Sequence, residues 1–322
     1  MTEFELIERY FGACAGNQYV HLGVGDDAAL TIVPPGHELV TTVDTLVAGV
    51  HFFADCDAGS LGYKALAVNL SDLAAMGATP AWFTLALALP AAEPDWLSRF
   101  AEGLRDLAAE HDMALVGGDT VRGPLTITIQ ACGLVPEGQA LRRDGARPGD
   151  AIYLTGTLGD ARLALEHLEG RHQIASVNRQ ALLERLQRPQ ARIKEGAALR
   201  AIASAAIDIS DGLVADLSHI LERSRVGARI EPARLPLSAA MQHSLPRAQA
   251  EELALYGGDD YELCFTVPVA KEGEMQALLA AGAIVARRIG TIVEGDSVVC
   301  LRADGDSYTA DKRGYNHFSK GV

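Results

Sequence analysis

Acids stand where a strand pattern ends or a helix begins four times along this chain: Asp26 with Asp27, Asp44, Asp119, and Asp208 with Asp211. Asp72 adds another. It lies in, or at the edge of, the Ala- and Leu-rich helical pattern over residues 61–76, beside Asn69 and Ser71. A carboxylate on such an apolar face rarely stays buried unless it is paired or holds a metal. Strand ends are where the loops of different elements converge in α/β sheets. Carboxylates gathered there repel one another unless cations sit among them. A fold that brings these loops together is therefore expected to place cations among them. Any one of these residues alone also reads as a helix cap or turn residue, as Asp95 does.

The elements between the acids alternate. Residues 38–43 read as a strand ending in Asp44-Thr45. A helix over 61–76 is broken by Pro80, an apolar strand spans 82–89, and Pro94-Asp95 opens a helix to about 111 with Trp96, Phe100, Leu104 and Leu107 on one face. A short buried strand at 114–116 runs into Gly117-Gly118-Asp119-Thr120, and 125–135 alternates as a strand with one wet face. The stretch 136–149, with Arg142, Arg143 and Arg147 among Pro and Gly, reads as a connection. Domains of 1–149 and 150–322 follow. The second half restarts with a strand at 151–154, helices at 160–168, 178–186 and 194–204, a strand at 205–209 and a helix at 213–223. A strand at 264–267, a helix at 271–281 and a terminal hairpin around Gly295 complete it. This pattern predicts a two-domain α/β or α+β fold.

At 322 residues there is enough chain for two real cores, and with 48% of residues apolar disorder is not expected. A net charge of -14 argues against a nucleic-acid partner. The acidic N-terminus lacks the basic start and apolar run of a signal peptide, and no apolar run approaches a membrane span. The cysteines, Cys14, Cys56, Cys132, Cys264 and Cys300, are scattered, odd in number and without a Cys-x-x-Cys pair. Reduced thiols in a cytoplasmic protein are the expectation.

Gly23-Val24-Gly25-Asp26-Asp27 points to chemistry. Its glycines permit a tight turn and close approach to a ligand. A glycine turn that cradles phosphate directly normally carries a basic residue; this one carries acids, so a polyanion needs a cation between. Magnesium suits that place, since it takes oxygen ligands and commonly shares one or two carboxylates with substrate phosphates. A solvated Gly-Asp turn is the plain alternative. Arg143 reads either as a solvated linker residue or as a guanidinium facing phosphates.

Taken together, these residues resemble the thiamine-monophosphate kinase family, part of the ATP-binding group that includes aminoimidazole-ribonucleotide synthetase and selenophosphate synthetase. The resemblance covers the whole chain. It rests on Gly25-Asp26-Asp27-Ala28, Asp44-Thr45-Leu46-Val47 with His51-Phe52, Asn69-Leu70-Ser71-Asp72-Leu73 and Gly117-Gly118-Asp119-Thr120. It continues through Asp208-Ile209-Ser210-Asp211-Gly212-Leu213, Asp260-Tyr261-Glu262-Leu263 and Gly314-Tyr315-Asn316-His317-Phe318.

The resemblance implies ATP-dependent phosphorylation of thiamine monophosphate to thiamine diphosphate. It implies several Mg2+ ions held by Asp27, Thr42, Asp44, Asp72, Asp119, Asp208 and Asp211, and ATP contacts at Gly118, Asp119, Arg143 and Ser210. The thiamine moiety would meet His51, Glu262 and Phe318. Asp44, Asp211 and Arg143 would carry the catalytic burden. The implied fold is an N-terminal α/β domain that makes a homodimer through its sheet, a C-terminal α/β domain, and nucleotide in the cleft between domains. Two departures stand out. Val43 precedes Asp44 where relatives often carry Ser or Thr, which removes a side-chain ligand. Asp259 stands where Glu is common. The rivals are another ATP-using synthetase, such as a selenophosphate synthetase-like enzyme, and a non-catalytic nucleotide-binding scaffold.

Overall fold

The computed structural model describes residues 3–12, 16–302 and 304–311. The chain divides into two compact units, Met1–Leu73 with Ala78–Ala140, and Ala74–Gly77 with Leu141–Val322.

The first unit opens with α1 (Glu3–Tyr10) and the small pair β1 (Val20–Leu22) and β2 (Leu30–Thr31). Then come β3 (His37–Val47), α2 (Ala58–Ala75), β4 (Thr79–Leu89), α3 (Pro94–Glu110), β5 (Ala114–Arg122) and β6 (Thr126–Pro136). Its main sheet has the order β3-β6-β4-β5, antiparallel except for the parallel pair β4–β5. β3 alternates cleanly. Leu39, Thr41, Val43 and Thr45 are exposed, while Leu46 is buried. Successive strand side chains point to opposite faces, so Thr42, Asp44 and Leu46 share the other side. α2 is apolar around most of its circumference and is buried as such a helix must be, with Leu66, Leu70 and Leu73 fully enclosed. α3 is amphipathic and buries Leu97, Phe100, Leu104 and Leu107.

β5 continues through Gly117-Gly118-Asp119 to Arg122 instead of ending at Val116. The pairing with β4 slips at Phe83/Thr84 and then carries on. A Cβ at Gly118 would lie 1.8 Å from the Leu85 carbonyl oxygen. The strand passes here because the residue is glycine.

The second unit contains β7 (Ala151–Thr155), α4 (Asp160–Leu168), α5 (Ser176–Gln187), α6 (Ile193–Leu199), β8 (Ala205–Asp208), α7 (Leu213–Ser224) and β9 (Gly227–Ile230). α8 (Ala239–Ser244), α9 (Arg247–Tyr256), β10 (Leu263–Val267), α10 (Glu272–Ala280), β11 (Ala286–Val293), β12 (Val298–Leu301) and β13 (Ser307–Thr309) complete it. The sheet order is β13-β12-β9-β11-β7-β10-β8. The hairpin expected around Gly295 is not formed. β9 lies between β11 and β12, antiparallel to the first and parallel to the second. Gly227–Ile230 offers Ala228 and Ile230 to the core and satisfies both neighbours' backbones. Residues 141–149 are tied to this unit: Arg142 O accepts from Ala206 N–H, Arg143 O from the Ser224 hydroxyl, and Gly149 N–H donates to Ile292 O. Among the described residues no helix is long and apolar enough to cross a membrane.

Candidate functional site

In the first unit the alternation of β3 sets the chemistry. Thr42 and Asp44, two apart, share a face, and the Thr42 hydroxyl donates a short hydrogen bond to Asp72 Oδ2 on α2. Burial pushes the Asp44 carboxyl from 3.8 up to about 6, and the neighbouring charge of Asp72 adds to the rise. Two carboxylates and a hydroxyl are thus held together in surroundings that penalise their charge. Asn69, three residues before Asp72 and on the same side of α2, is fully buried, and its Oδ1 lacks a hydrogen-bond partner.

These donors are all oxygens, as a hard cation requires. Among the described residues, no three or more His, Cys, Asp or Glu side chains form a group able to hold a metal ion. The set fits magnesium in its usual manner, with one or two carboxylates from protein and the remaining ligands from phosphate and water. Val43 is 61% exposed and projects from the opposite face, so a hydroxyl there would not join Asp44.

Asp27 is exposed in the first turn, where its N–H donates to Asp26 Oδ1 at 2.8 Å. Gly118 and exposed Asp119 stand on β5, the edge strand opposite β3. Register carries Gly118 across the sheet to Leu85, Ile129 and Asp44, while Asp119 falls in the row of Ala86, Thr128 and Thr45 and so lies on the face of Val43 and Thr45, not on that of Asp44. His51 lies just after β3, and its Nδ1 accepts the Val47 N–H at 3.0 Å, so a neutral ring carries its proton on Nε2.

In the second unit β8 ends at Asp208, which is buried. The chain then turns through Ile209-Ser210-Asp211-Gly212 into α7. Ser210 and Asp211 are half-buried. The turn closes on Asp216 in the first turn of α7, whose Oδ2 accepts N–H groups from Ser210, Asp211 and Gly212 at 3.0, 3.0 and 3.1 Å. Burial pushes the Asp216 carboxyl up to about 7, against the lowering pull of those donors.

Glu262 precedes β10 and is fully buried. Its Oε2 accepts from the Thr155 hydroxyl at 2.7 Å and Arg192 Nε at 2.6 Å, and its Oε1 from Arg185 Nη2 at 2.6 Å and Arg192 Nη2 at 2.5 Å. A ligand reaching this carboxylate would have to exchange one of those bonds. Asp260, beside it, is buried with Oδ2 on the Gly159 N–H, and burial holds its carboxyl well above the usual range. Arg143 is exposed and anchored through its carbonyl to Ser224. Phe318 and the motif around it lie outside the described residues.

The structure therefore joins Thr42, Asp44 and Asp72 in one unit, and sets Asp208, Ser210 and Asp211 along one turn of the other. Asp216, Arg185 and Arg192 escaped the sequence reading. Asp216 carries a faint signal, an acid four residues after the glycine that opens a helix. The arginines carry none, because only the tertiary fold brings them to Glu262.

Residues 25–135 match the family model described as AIR synthase related protein, N-terminal domain, and residues 147–301 the one described as AIR synthase related protein, C-terminal domain. The chain is 49% identical over 319 residues to the thiamine-monophosphate kinase of Escherichia coli (strain K12), covering 98% of each. A crystal structure of thiamine-monophosphate kinase from Stenotrophomonas maltophilia K279a superposes with a TM-score of 0.87 at 46% identity, over 96% of this chain and 98% of that one. A structure described as AaThiL complexed with AMPPCP and TMP gives 0.78 at 32% identity, over 98% and 96%.

Proposed function

The chain belongs to the thiamine-monophosphate kinase family within the AIR synthase-related proteins, and we propose that it transfers the γ-phosphoryl group of ATP to thiamine monophosphate, giving thiamine diphosphate. The observation that carries this reading is likeness over nearly the whole length to kinases of that name. One solved relative was described with AMPPCP and TMP.

The acceptor is a phosphate monoester, whose second pKa is near 6. Its attacking oxygen is already anionic at neutral pH, so no side chain need remove a proton. This differs from kinases that act on a hydroxyl. What the protein must overcome is repulsion between two anions. Mg2+, when bound, would neutralise phosphate charge. Asp44, Asp72 and Thr42 would hold it in the first unit, with Asp27; Asp119, on the other face of the sheet, would hold a separate ion, and Asp208 and Asp211 would serve in the second. Gly118, Asp119, Ser210 and Arg143 would meet ATP. His51, Glu262 and Phe318 would meet thiamine, Glu262 by exchanging one of its bonds to Arg185, Arg192 or Thr155 for the ligand. With both anions held in line, transfer is direct and passes through no phosphoenzyme.

The exposed, partly apolar outer face of β3, with Leu39 and Val43, supports a homodimer made through that sheet. Four described cysteines, Cys56, Cys132, Cys264 and Cys300, are free thiols, which suits a cytoplasmic enzyme.

The test is ADP release from ATP and Mg2+ with and without thiamine monophosphate. Release that depends strictly on thiamine monophosphate is expected. Release indifferent to it, or none, overturns the reading and returns the choice to another synthetase or a non-catalytic scaffold.

A further inference from the structure

The turn from β8 into α7 uses its backbone groups unusually completely. Ile209 N–H donates to Glu262 O, and Tyr261 N–H returns a bond to Ile209 O, both at 2.8 Å. Asp259 N–H donates to Ser210 O at 2.9 Å, and Gly212 O accepts from Asp216 N–H at 2.9 Å. That leaves the N–H groups of Ser210, Asp211 and Gly212. All three converge on one oxygen, Asp216 Oδ2. Backbone N–H groups withdrawn from water must find acceptors, and here a single carboxylate in the first turn of the following helix serves all three.

The other side of the turn is equally constrained. Gly212 has φ 115, and a Cβ there would come within 2.9 Å of the Tyr256 carbonyl carbon. The bracing segment holds Asp259 and Tyr261 at φ 68 and 51, uncommon values for non-glycine residues that a structure keeps only where its surroundings enforce them. A turn clamped on both sides has few ways to re-aim its side chains. The two side chains it carries, Ser210 and Asp211, are those read as meeting ATP and metal.

We propose that Asp216 is a positioning residue for the reaction: its buried carboxylate fixes the Ser210–Gly212 turn and thereby sets Ser210 and Asp211 for the nucleotide. This rests on the kinase reading above, since that reading gives the two side chains their partner. It asks nothing of Asp216 toward substrate. The residue lies behind the turn, only 3% exposed.

The test compares wild type with Asp216→Ala and Asp216→Asn, each shown folded by circular dichroism and a cooperative melt. Hydrogen exchange is read on a peptide covering residues 209–213, with β7 as the internal control. In Asp216→Ala the turn amides should exchange at least about tenfold faster while β7 is unchanged. KM for ATP should rise about tenfold and KM for thiamine monophosphate less than about twofold. Asp216→Asn keeps one carbonyl oxygen and should fall between; it replaces the alanine variant should that one not fold. Turn amides that stay protected, equal acceleration in β7, or an unchanged KM for ATP would overturn the proposal. A wild-type protein without turnover dependent on thiamine monophosphate would sink the kinase reading separately. In that case the exchange rates, with calorimetric binding of a Mg2+–AMPPCP complex, still decide whether Asp216 sets the turn.

Discussion

At the scale of single residues, the decisive quantity is what burial does to charge. Asp44 is held with Asp72 in surroundings that raise its carboxyl from 3.8 to about 6. An unfolded Asp titrates near 3.9. The folded state therefore binds that proton more tightly. Its stabilising contribution is complete below about pH 4 and is lost as pH rises through 6. Without divalent cations, Asp44→Asn should be more stable than wild type at pH 7.5, and the two should converge at pH 4. At about 1.4 kcal/mol per unit the gain is capped at ~3 kcal/mol. Thermal melts in EDTA at both pH values check this; a destabilised variant at pH 7.5 contradicts it. The same substitution, like Asp44→Ala and Asp211→Ala, should abolish turnover while leaving the protein folded. Normal activity in any of them removes that residue from the metal site. Glu262 is the opposite case, a buried carboxylate fully matched by Arg185, Arg192 and Thr155. Truncating Arg192 removes two of the four bonds to the buried carboxylate and leaves it on Arg185 and Thr155. Arg192→Ala should cost roughly 3 kcal/mol in urea unfolding, and a loss under about 1 kcal/mol would show that water enters to replace it.

At the scale of elements, a strand's alternation decides which residues act together. Thr42 and Asp44 face Asp72, and Val43 faces away. Val43→Ser should thus leave the Mg2+ concentration for half-maximal activity within about twofold of wild type; a sharp drop would mean that the hydroxyl reaches the metal. Gly118→Ala should lower stability by about 2–4 kcal/mol, because the added carbon meets the Leu85 carbonyl. Unfolding by urea measures this, and an unchanged midpoint would show that β5 can move off β4. These strands are legible in the sequence because apolar or alternating runs mark them and Pro90 and Pro94 follow the end of β4, although Pro80 falls inside that strand and not before it. β5 beyond Val116 was not, since Gly117-Gly118 reads as a turn until a partner strand makes it extended. Nor was β9, only Gly227–Ile230. Its insertion between β11 and β12 is a long-range choice that no local pattern records. The acidic motifs could be read because each is compact in sequence. Asp216 and the two arginines act through contacts set by the fold, so spacing alone does not reveal them.

At the scale of the whole molecule, an acidic protein is read as handling two phosphorylated anions, with its carboxylates drawing the divalent cations that make this affordable. The proposed dimer through the outer face of β3 is tested at this scale. Light scattering should give twice the 34.1 kDa chain mass, and Val43→Glu should shift it toward monomer; a wild-type monomer would contradict that face as an interface. The transfer itself is tested most directly by following γ-labelled ATP with Mg2+ and thiamine monophosphate. Label should pass into thiamine diphosphate in step with ADP formation, with none retained on the acid-quenched protein. Label trapped on the chain, or released as phosphate without thiamine monophosphate, would contradict direct transfer between two anions.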